Sequence, residues 1–530
     1  MALHHGHHPI RAAIDFPPYP AMTRAGRAPG LGRDRWAIGG LVAAYILSRA
    51  LAYMAGVRFD LAPMATSWQI LDPVLLRHDL LESLFYMPGQ PPLYNLLLGV
   101  VVKLSALTGG GDFATAALFR VIFAGCALAT VLLLYAVLRR LGAGVAAAAA
   151  VAGLFMCSPA LILYESLPYY TLPVIALLGL IVWLFDGCMR AFTPGRALAL
   201  FMAMAVLIYT RSMFQIQWFL VLAGFLALVL PGHRRAVLLA AAVPLVLIVA
   251  LYAKNYAVIG EFSTSDWMGM SLAKLTTLEL DADERSRLVA EGRMTPLALD
   301  DKAYDIPESY EGTVVERPYT GIAVLDYKRK STDHINFNYL PYAEISRMYR
   351  HDALVAIRTH PSVYFNAMGT AWLMFWRPAS DYPFLKDNRR AIEPWARWYA
   401  RIVGGQPVYP DNPRFDLKPG TIGIFIAIGY VLAVLFGLAV LVRALWRRRL
   451  SASDATLIFV WLNVMYVSVI GNALEIDENQ RFRFSINPMI CILLTIGAAR
   501  LLGWWQARRP APAPIETGAD AERRLHASGG

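Results

Sequence analysis

Long, mostly apolar runs separated by short polar joints fill this chain from residue 36 to residue 503. A run of about 18 or more such residues can cross the hydrocarbon of a bilayer as a helix. Ten stretches read as spans: roughly 36–57, 113–138, 144–163, 169–186, 197–214, 216–231, 236–253, 421–442, 455–471 and 485–503. An eleventh run, "MPGQPPLYNLLLGVVVKLSAL" at 87–107, opens on Gln90, Pro91 and Pro92 and carries Lys103 near its far end. Between 255 and 420 the pattern turns polar and proline-rich, with strand-like and helical pieces of no clean period. Its one apolar stretch, "VYFNAMGTAWLMFW" at 363–376, is expected to lie along the membrane surface. The predicted fold class is mainly α. The chain reads as a polytopic membrane protein of about ten transmembrane helices plus membrane-surface helices, with a small extracytoplasmic α/β-like cap.

Composition supports the bilayer. Of 530 residues, 57% are hydrophobic and 16% charged, against about 25% charged in a soluble domain. The net charge of +11 would suit nucleic acid, but the basic residues sit in short clusters at the ends of apolar runs, the pattern of topology signals. No nucleic-acid partner is therefore expected. Cys126, Cys157, Cys188 and Cys491 form no CxxC pair, so neither a zinc site nor a disulfide framework is predicted. No cleavable signal is expected, because "HHGHH" and a Pro- and Arg-rich tract precede the first span. His4, His5, His7 and His8 read as a tail rather than as metal ligands.

The basic clusters set an orientation. Arg24, Arg27, Arg33 and Arg35 precede the first span; Arg139 and Arg140 follow the second, Arg190 and Arg196 the fourth, and Arg234 and Arg235 the sixth. Arg443, Arg447, Arg448 and Arg449 follow the eighth, and Arg508 and Arg509 the last. If all face the cytoplasm, ten crossings put both termini inside a plasma (inner) membrane. That parity requires residues 91–108 to enter and leave on the outer side, as irregular backbone does only under protein or around a wet cavity. Pro91 and Pro92 then open a helix, where a missing N–H costs little. The expected organisation is a disordered cytoplasmic N-terminus 1–35 and a membrane core 36–254 with an outer loop 58–112. An extracytoplasmic region 255–420, C-terminal helices 421–503 and a disordered cytoplasmic tail 504–530 follow.

With this orientation, the informative polar residues converge on the outer face. Asp60 follows the first span, with Asp72, Asp79 and Glu82 in the same loop; Glu165 lies between spans three and four. Arg211 ends span five, Lys254 and Asn255 end span seven, and "NALEIDENQRFRFSINP" joins the last two spans with Glu475, Asp477, Glu478, Arg481 and Arg483. Ionisable groups near hydrocarbon are expensive and tend to be functional. Asp72, Asp79 and Glu82 read equally as solvated loop charges, Arg481 and Arg483 as headgroup anchors, and Glu165 as a local helix-end partner. A carboxylate facing several cations suits displacement of a phosphate leaving group. The acid takes the proton of an acceptor hydroxyl and the cations stabilise the departing phosphate. At the outer surface that leaving group is a lipid phosphate. Phe85, Tyr86, Tyr94, Tyr164, Tyr169, Tyr170 and Trp267 are aromatic residues that could stack on a sugar.

In this order the segments resemble a GT-C-fold integral-membrane glycosyltransferase, of the bacterial branch related to protein O-mannosyltransferases and lipid A aminoarabinose transferases. The resemblance rests on Asp60 after the first span, "GQPPLYNLLLG", "RVIFAGCALATVLLLYAVLRRLG", "SPALILYESLPYYTLPV" and "ENQRFRFSINP", and spans most of 36–503. It implies transfer, with inversion, of a hexose or pentose from a polyprenyl-phosphate-linked donor to an extracytoplasmic lipid, glycan or protein. Asp60 would be the general base and Glu165 the second catalytic acid. Gln90, Tyr94, Arg211, Lys254, Asn255, Glu478, Arg481 and Arg483 would bind substrate. Leu61 stands where many relatives carry a second acid, which leaves Asp72 and Asp79 as alternative bases. No cofactor is certain; Asp60 with Glu165 could hold a divalent cation through oxygen ligands. The other readings are a flippase or transporter of a lipid-linked sugar, a glycan ligase or polymerase using a polyprenyl-diphosphate donor, and a membrane scaffold.

Overall fold

The computed structural model describes residues 31–315, 317–403 and 423–508. The chain opens with α1 (Leu31–Met54), then the short α2 (Ala62–Thr66), α3 (Pro73–Arg77) and α4 (Leu80–Tyr86), and α5 (Pro92–Leu107). It continues through α6 (Asp112–Arg140), α7 (Val145–Met156), α8 (Pro159–Tyr164), α9 (Thr171–Arg190), α10 (Pro194–Thr210), α11 (Ile216–Val229) and α12 (Arg234–Ile259). Short helices α13 (Met268–Ala273), α14 (Ala282–Ala290) and α15 (Ala323–Asp326) precede α16 (Pro341–Thr359), α17 (Pro361–Phe375), α18 (Lys386–Ala391) and α19 (Glu393–Val403). The last three are α20 (Ile424–Arg447), α21 (Ala452–Leu474) and α22 (Asn479–Ala507). The expected tails fall largely outside the described residues, as do His4, His5, His7 and His8. At both edges, however, helix replaces expected disorder, because α1 begins at Leu31 and α22 runs on to Ala507.

Among the described residues, seven helices are long and apolar enough to cross a membrane: α1, α6, α9, α12, α20, α21 and α22. The shorter apolar helices α7, α10 and α11 stand where three further spans are expected. The stretch 144–163 is broken for a local reason. Ser158 is extended, its hydroxyl accepts from the Leu161 N–H at 3.3 Å, and Pro159 opens α8, a capped helix start inside an apolar run. The same devices set other starts: the Thr193 hydroxyl accepts from Arg196 N–H before Pro194, and the Ser451 hydroxyl from Asp454 N–H.

Asp34 near the start of α1 pairs with Arg139 at the end of α6 at 2.7 Å. The chain between α1 and α6 thus leaves and returns at one end of the bundle. At the two ends of α5, Gln90 meets Ser212 just past α10 at 3.3 Å, and Ser105 meets Thr115 in the first turn of α6 at 2.8 Å. Both of these contacts lie at the end of the bundle away from Asp34, so α5 does not run its length. Pro91 and Pro92 form its N-cap and first turn, as the proline pair predicts.

Residues 260–403 differ from the expected α/β-like cap. Among the described residues there is no strand, only isolated bridges between Glu311 and Val314 and between Arg329 and Ile335. Prolines 296, 307, 341, 361 and 383 each open a helix or a single turn instead, which leaves no run long enough to ladder. Trp267, Met270, Tyr310, Phe337, Tyr342 and Tyr349 pack as one small core, and Leu280, Leu288, Met294 and Ala298 as another. The 363–376 stretch is α17 and its C-cap. It packs on α21 and α22, and the Tyr364 hydroxyl donates to the Ala473 carbonyl at 2.9 Å.

Candidate functional site

The ends of α8, α10 and α21 and the starts of α9 and α22 meet beneath this helical cap. Arg211, the C-cap of α10, holds its guanidinium 4.3 Å over the Tyr170 ring and 5.0 Å from Phe482. Arg481, in the first turn of α22, lies over Tyr169, Tyr170 and Tyr382 at 4.6, 5.1 and 5.1 Å. Two guanidinium groups therefore share Tyr170. Tyr164 stacks on Phe484 at 5.1 Å and on Tyr382 at 6.2 Å, closing the aromatic wall.

The polar contacts of this wall are sparse. Glu478 pairs with Arg481 and accepts from the Tyr382 hydroxyl at 2.9 Å. The Tyr382 hydroxyl also lies 3.1 Å from that of Tyr169, which donates to Gln69 Oε1 at 2.9 Å. Burial in this cluster pushes the phenols of Tyr169 and Tyr382 up. Arg481 is 2% exposed and Arg483 1%, yet Nε and Nη1 of both have no hydrogen-bond partner. Among the described residues no carboxylate pairs with Arg211 or Arg483. A buried cation without an anion costs several kcal/mol, and among the described residues Glu478 is the one carboxylate paired with these arginines. The turn before α22 is fixed from above: Lys274 of the α13–α14 connection pairs with Glu475 and, at 3.0 Å, with Asp477. Asp477 has φ of 112°, a conformation that costs a non-glycine residue about 1–3 kcal/mol.

The other residues singled out from the sequence divide into two sets. Gln90 joins the cluster, its Oε1 accepting from the Ser212 hydroxyl beside Arg211 at 3.3 Å. Tyr94 lies edge-on to Tyr170 at 5.6 Å, buried and with its hydroxyl unpartnered. Lys254 Nζ donates to the Met87 carbonyl at 2.9 Å, and Asn255 Nδ2 to the Ser263 carbonyl at 2.7 Å. Both hold the loop and connection that flank Gln90.

Most of the acids singled out between α1 and α9 make local contacts of their own. Glu165 is bound by Arg49 of α1 and accepts from the Tyr45 hydroxyl at 2.8 Å, so its carboxylate faces the bundle and both oxygens are in use. Asp60 donates its N–H to the Ser166 carbonyl at 2.7 Å, and its Oδ1 accepts from the Ala62 N–H at 2.8 Å. Asp60 and Glu165 do not fit a shared divalent cation. Among the described residues no group of three or more His, Cys, Asp or Glu side chains is placed to hold one. Asp72 caps α3 through Val74 N–H at 2.8 Å and binds the Ser331 N–H at 2.6 Å. Asp79 is exposed at the start of α4 and makes no side-chain cap bond.

Three participants escape the sequence reading. Tyr382 and Gln69 carry no local signal, since they belong to the site only through contacts to residues about a hundred or more positions away. Arg49 does have one: it is a charge inside the first apolar run, and a charge there needs a partner. Compared with protein-family models, curated proteins and solved structures, the chain matches none.

Proposed function

We propose that the protein is a membrane glycosyltransferase. It moves a sugar from a polyprenyl-phosphate-linked donor to a lipid, glycan or protein acceptor outside the cytoplasm, with inversion at the anomeric carbon. The observation that supports this reading is the set of three arginines, Arg211, Arg481 and Arg483, buried or half-buried around the Tyr164–Tyr170 wall with Glu478 as their one acid partner among the described residues. A lipid phosphate would supply the missing negative charge, and its charge grows as the bond to the sugar breaks, which is where fixed guanidinium groups stabilise most. The acceptor oxygen attacks the anomeric carbon, the bond to the phosphate oxygen breaks, and the electron pair leaves on the phosphate. The acceptor's proton goes to Asp60, whose second carboxylate oxygen lies outside its capping bond. In this reading α7–α8, α10 and α11 complete ten crossings, the paired basic end of the bundle faces the cytoplasm, and the arginine cluster faces out of the inner membrane.

The test is transfer from a radiolabelled polyprenyl-phosphate sugar to a membrane acceptor fraction by purified protein in detergent. Wild type should transfer label, and folded Asp60→Asn should lose it. Equal transfer by both would remove Asp60 as the base, whereas movement of labelled lipid across proteoliposomes without transfer would make the protein a flippase. Sidedness is read in intact cells: a cysteine at Arg139 should resist an impermeant maleimide, and ready labelling would reverse the orientation.

A further inference from the structure

Asp266 is a buried acid to which the proposed reaction gives no role. Its side chain is 6% exposed, and neither carboxylate oxygen has a hydrogen-bond partner. Its position is nevertheless well fixed. The Asp266 N–H donates to the Pro88 carbonyl at 3.3 Å, and the Ser265 hydroxyl donates to the Gly89 carbonyl at 2.6 Å. Gly89 is required here, because a Cβ would stand 2.8 Å from Trp267 Nε1 and 2.9 Å from Asn338 Oδ1. Lys254 contributes positive charge to Asp266, but its ammonium donates to the Met87 carbonyl. Burial pushes the Asp266 carboxyl up to about 7, as expected of an acid without donors.

The surroundings say what is missing. Asn255 Oδ1 is also buried and unpartnered, and Asn255 reaches the 263–266 strand of chain through the Ser263 carbonyl. Asp266 within this segment and Asn255 bound to it thus each offer acceptor oxygens with no donors to meet them. A phosphate, itself all acceptor, is the wrong occupant, whereas a ligand rich in hydroxyl groups is the right one. The same stretch adjoins the arginine cluster. The Thr264 hydroxyl contacts the Ser212 carbonyl at 3.4 Å and accepts from Gln215 Nε2 at 3.1 Å, and Ser212 follows Arg211 and meets Gln90. A sugar phosphodiester meets both demands, carrying an anion and, on the attached ring, hydroxyl donors.

We propose that Asp266 binds a hydroxyl group of the transferred sugar while Arg211 and Arg481 hold its phosphate. The proposal rests on the glycosyltransferase reading and makes Asp266 a determinant of which sugar is accepted. Binding tests it without turnover. Wild type, Asp266→Asn and Arg481→Ala are titrated with a short-chain polyprenol, the corresponding polyprenyl phosphate, and that phosphate bearing mannose, glucose or arabinose. Wild type should prefer at least one sugar-bearing lipid over the bare phosphate. Asp266→Asn should weaken that lipid about tenfold, roughly one charged hydrogen bond, and leave the bare phosphate unchanged. Arg481→Ala should weaken every phosphate lipid. Unchanged sugar-lipid binding by Asp266→Asn overturns the proposal, as does an equal loss for sugar-bearing and bare phosphate. So does a wild type that binds all the phosphate lipids alike, a result that stands even if the variant does not fold. A wild type that binds polyprenyl phosphate no better than neutral polyprenol sinks the underlying reading instead.

Discussion

The two ends of the helical bundle handle arginine differently. At the end where α1 starts, each acid takes one or two basic partners. Asp34 holds Arg139; Asp186 holds Arg190 at 2.7 Å and Arg140 at 3.5 Å; Asp454 holds Arg500 at 2.7 Å and Arg443 at 2.9 Å. Asp186 is fully buried and also accepts from the Thr456 hydroxyl at 3.2 Å, tying α6, α9 and α21 together. At the other end Glu165 takes Arg49, but among the described residues no carboxylate pairs with Arg211 or Arg483, and Arg481 shares Glu478 with Tyr382. Paired arginines there would hold helices together; unpaired ones cost stability, and a fold retains such a cost where a ligand repays it.

Replacing one member of each set sharpens this contrast. The largest effect is expected from Arg481→Ala, which should lower transfer about 100- to 1000-fold, the loss typical of removing one preorganised charge stabiliser. Arg483→Met should leave the thermal midpoint unchanged or raise it, because a buried charge without a partner is being removed. A fall of many degrees would show that Arg483 is structural like the arginines of the opposite end. Next comes Asp186→Asn, expected to destabilise by about 3 kcal/mol, the low end for a buried pair because both arginine partners are partly exposed. A thermal midpoint equal to wild type would erase the distinction between the ends. The smallest effect is expected from Tyr382→Phe. It removes one hydroxyl that meets Glu478 and Tyr169, and polyprenyl-phosphate binding should weaken by about 1 kcal/mol, some fivefold, with the fold intact. No change in affinity would take the tyrosine out of the site.

Much of the framework could be read from the sequence. The apolar runs mark the seven long helices, Pro91 and Pro92 mark the start of α5, and the position of basic residues at run ends marks the paired end of the bundle. The convergence of Arg211, Arg481 and Arg483 was legible in outline, because each sits at the corresponding end of its run. The acids were less legible. Glu165 looks from its position like a catalytic group, but Arg49 and Tyr45 of α1 capture it. Asp72 looks like a loop charge and turns out to join the α3 cap to Ser331. Among the described residues of 255–420, the strand-like pieces yielded to prolines that start helical turns.

By itself, then, the sequence determined which segments prefer lipid, where helices start, and at which ends the charges collect. Those properties follow from local composition and from the backbone's need for internal hydrogen bonds. Only the tertiary structure decided which charges are neutralised. Pairing depends on side chains brought together from distant segments: Glu165 with Arg49, Asp266 against Pro88, and Arg481 among Tyr169, Tyr170 and Tyr382. That choice left Glu165 bound, Asp266 without a donor, and the arginines with more positive charge than Glu478, their one acid among the described residues, can balance.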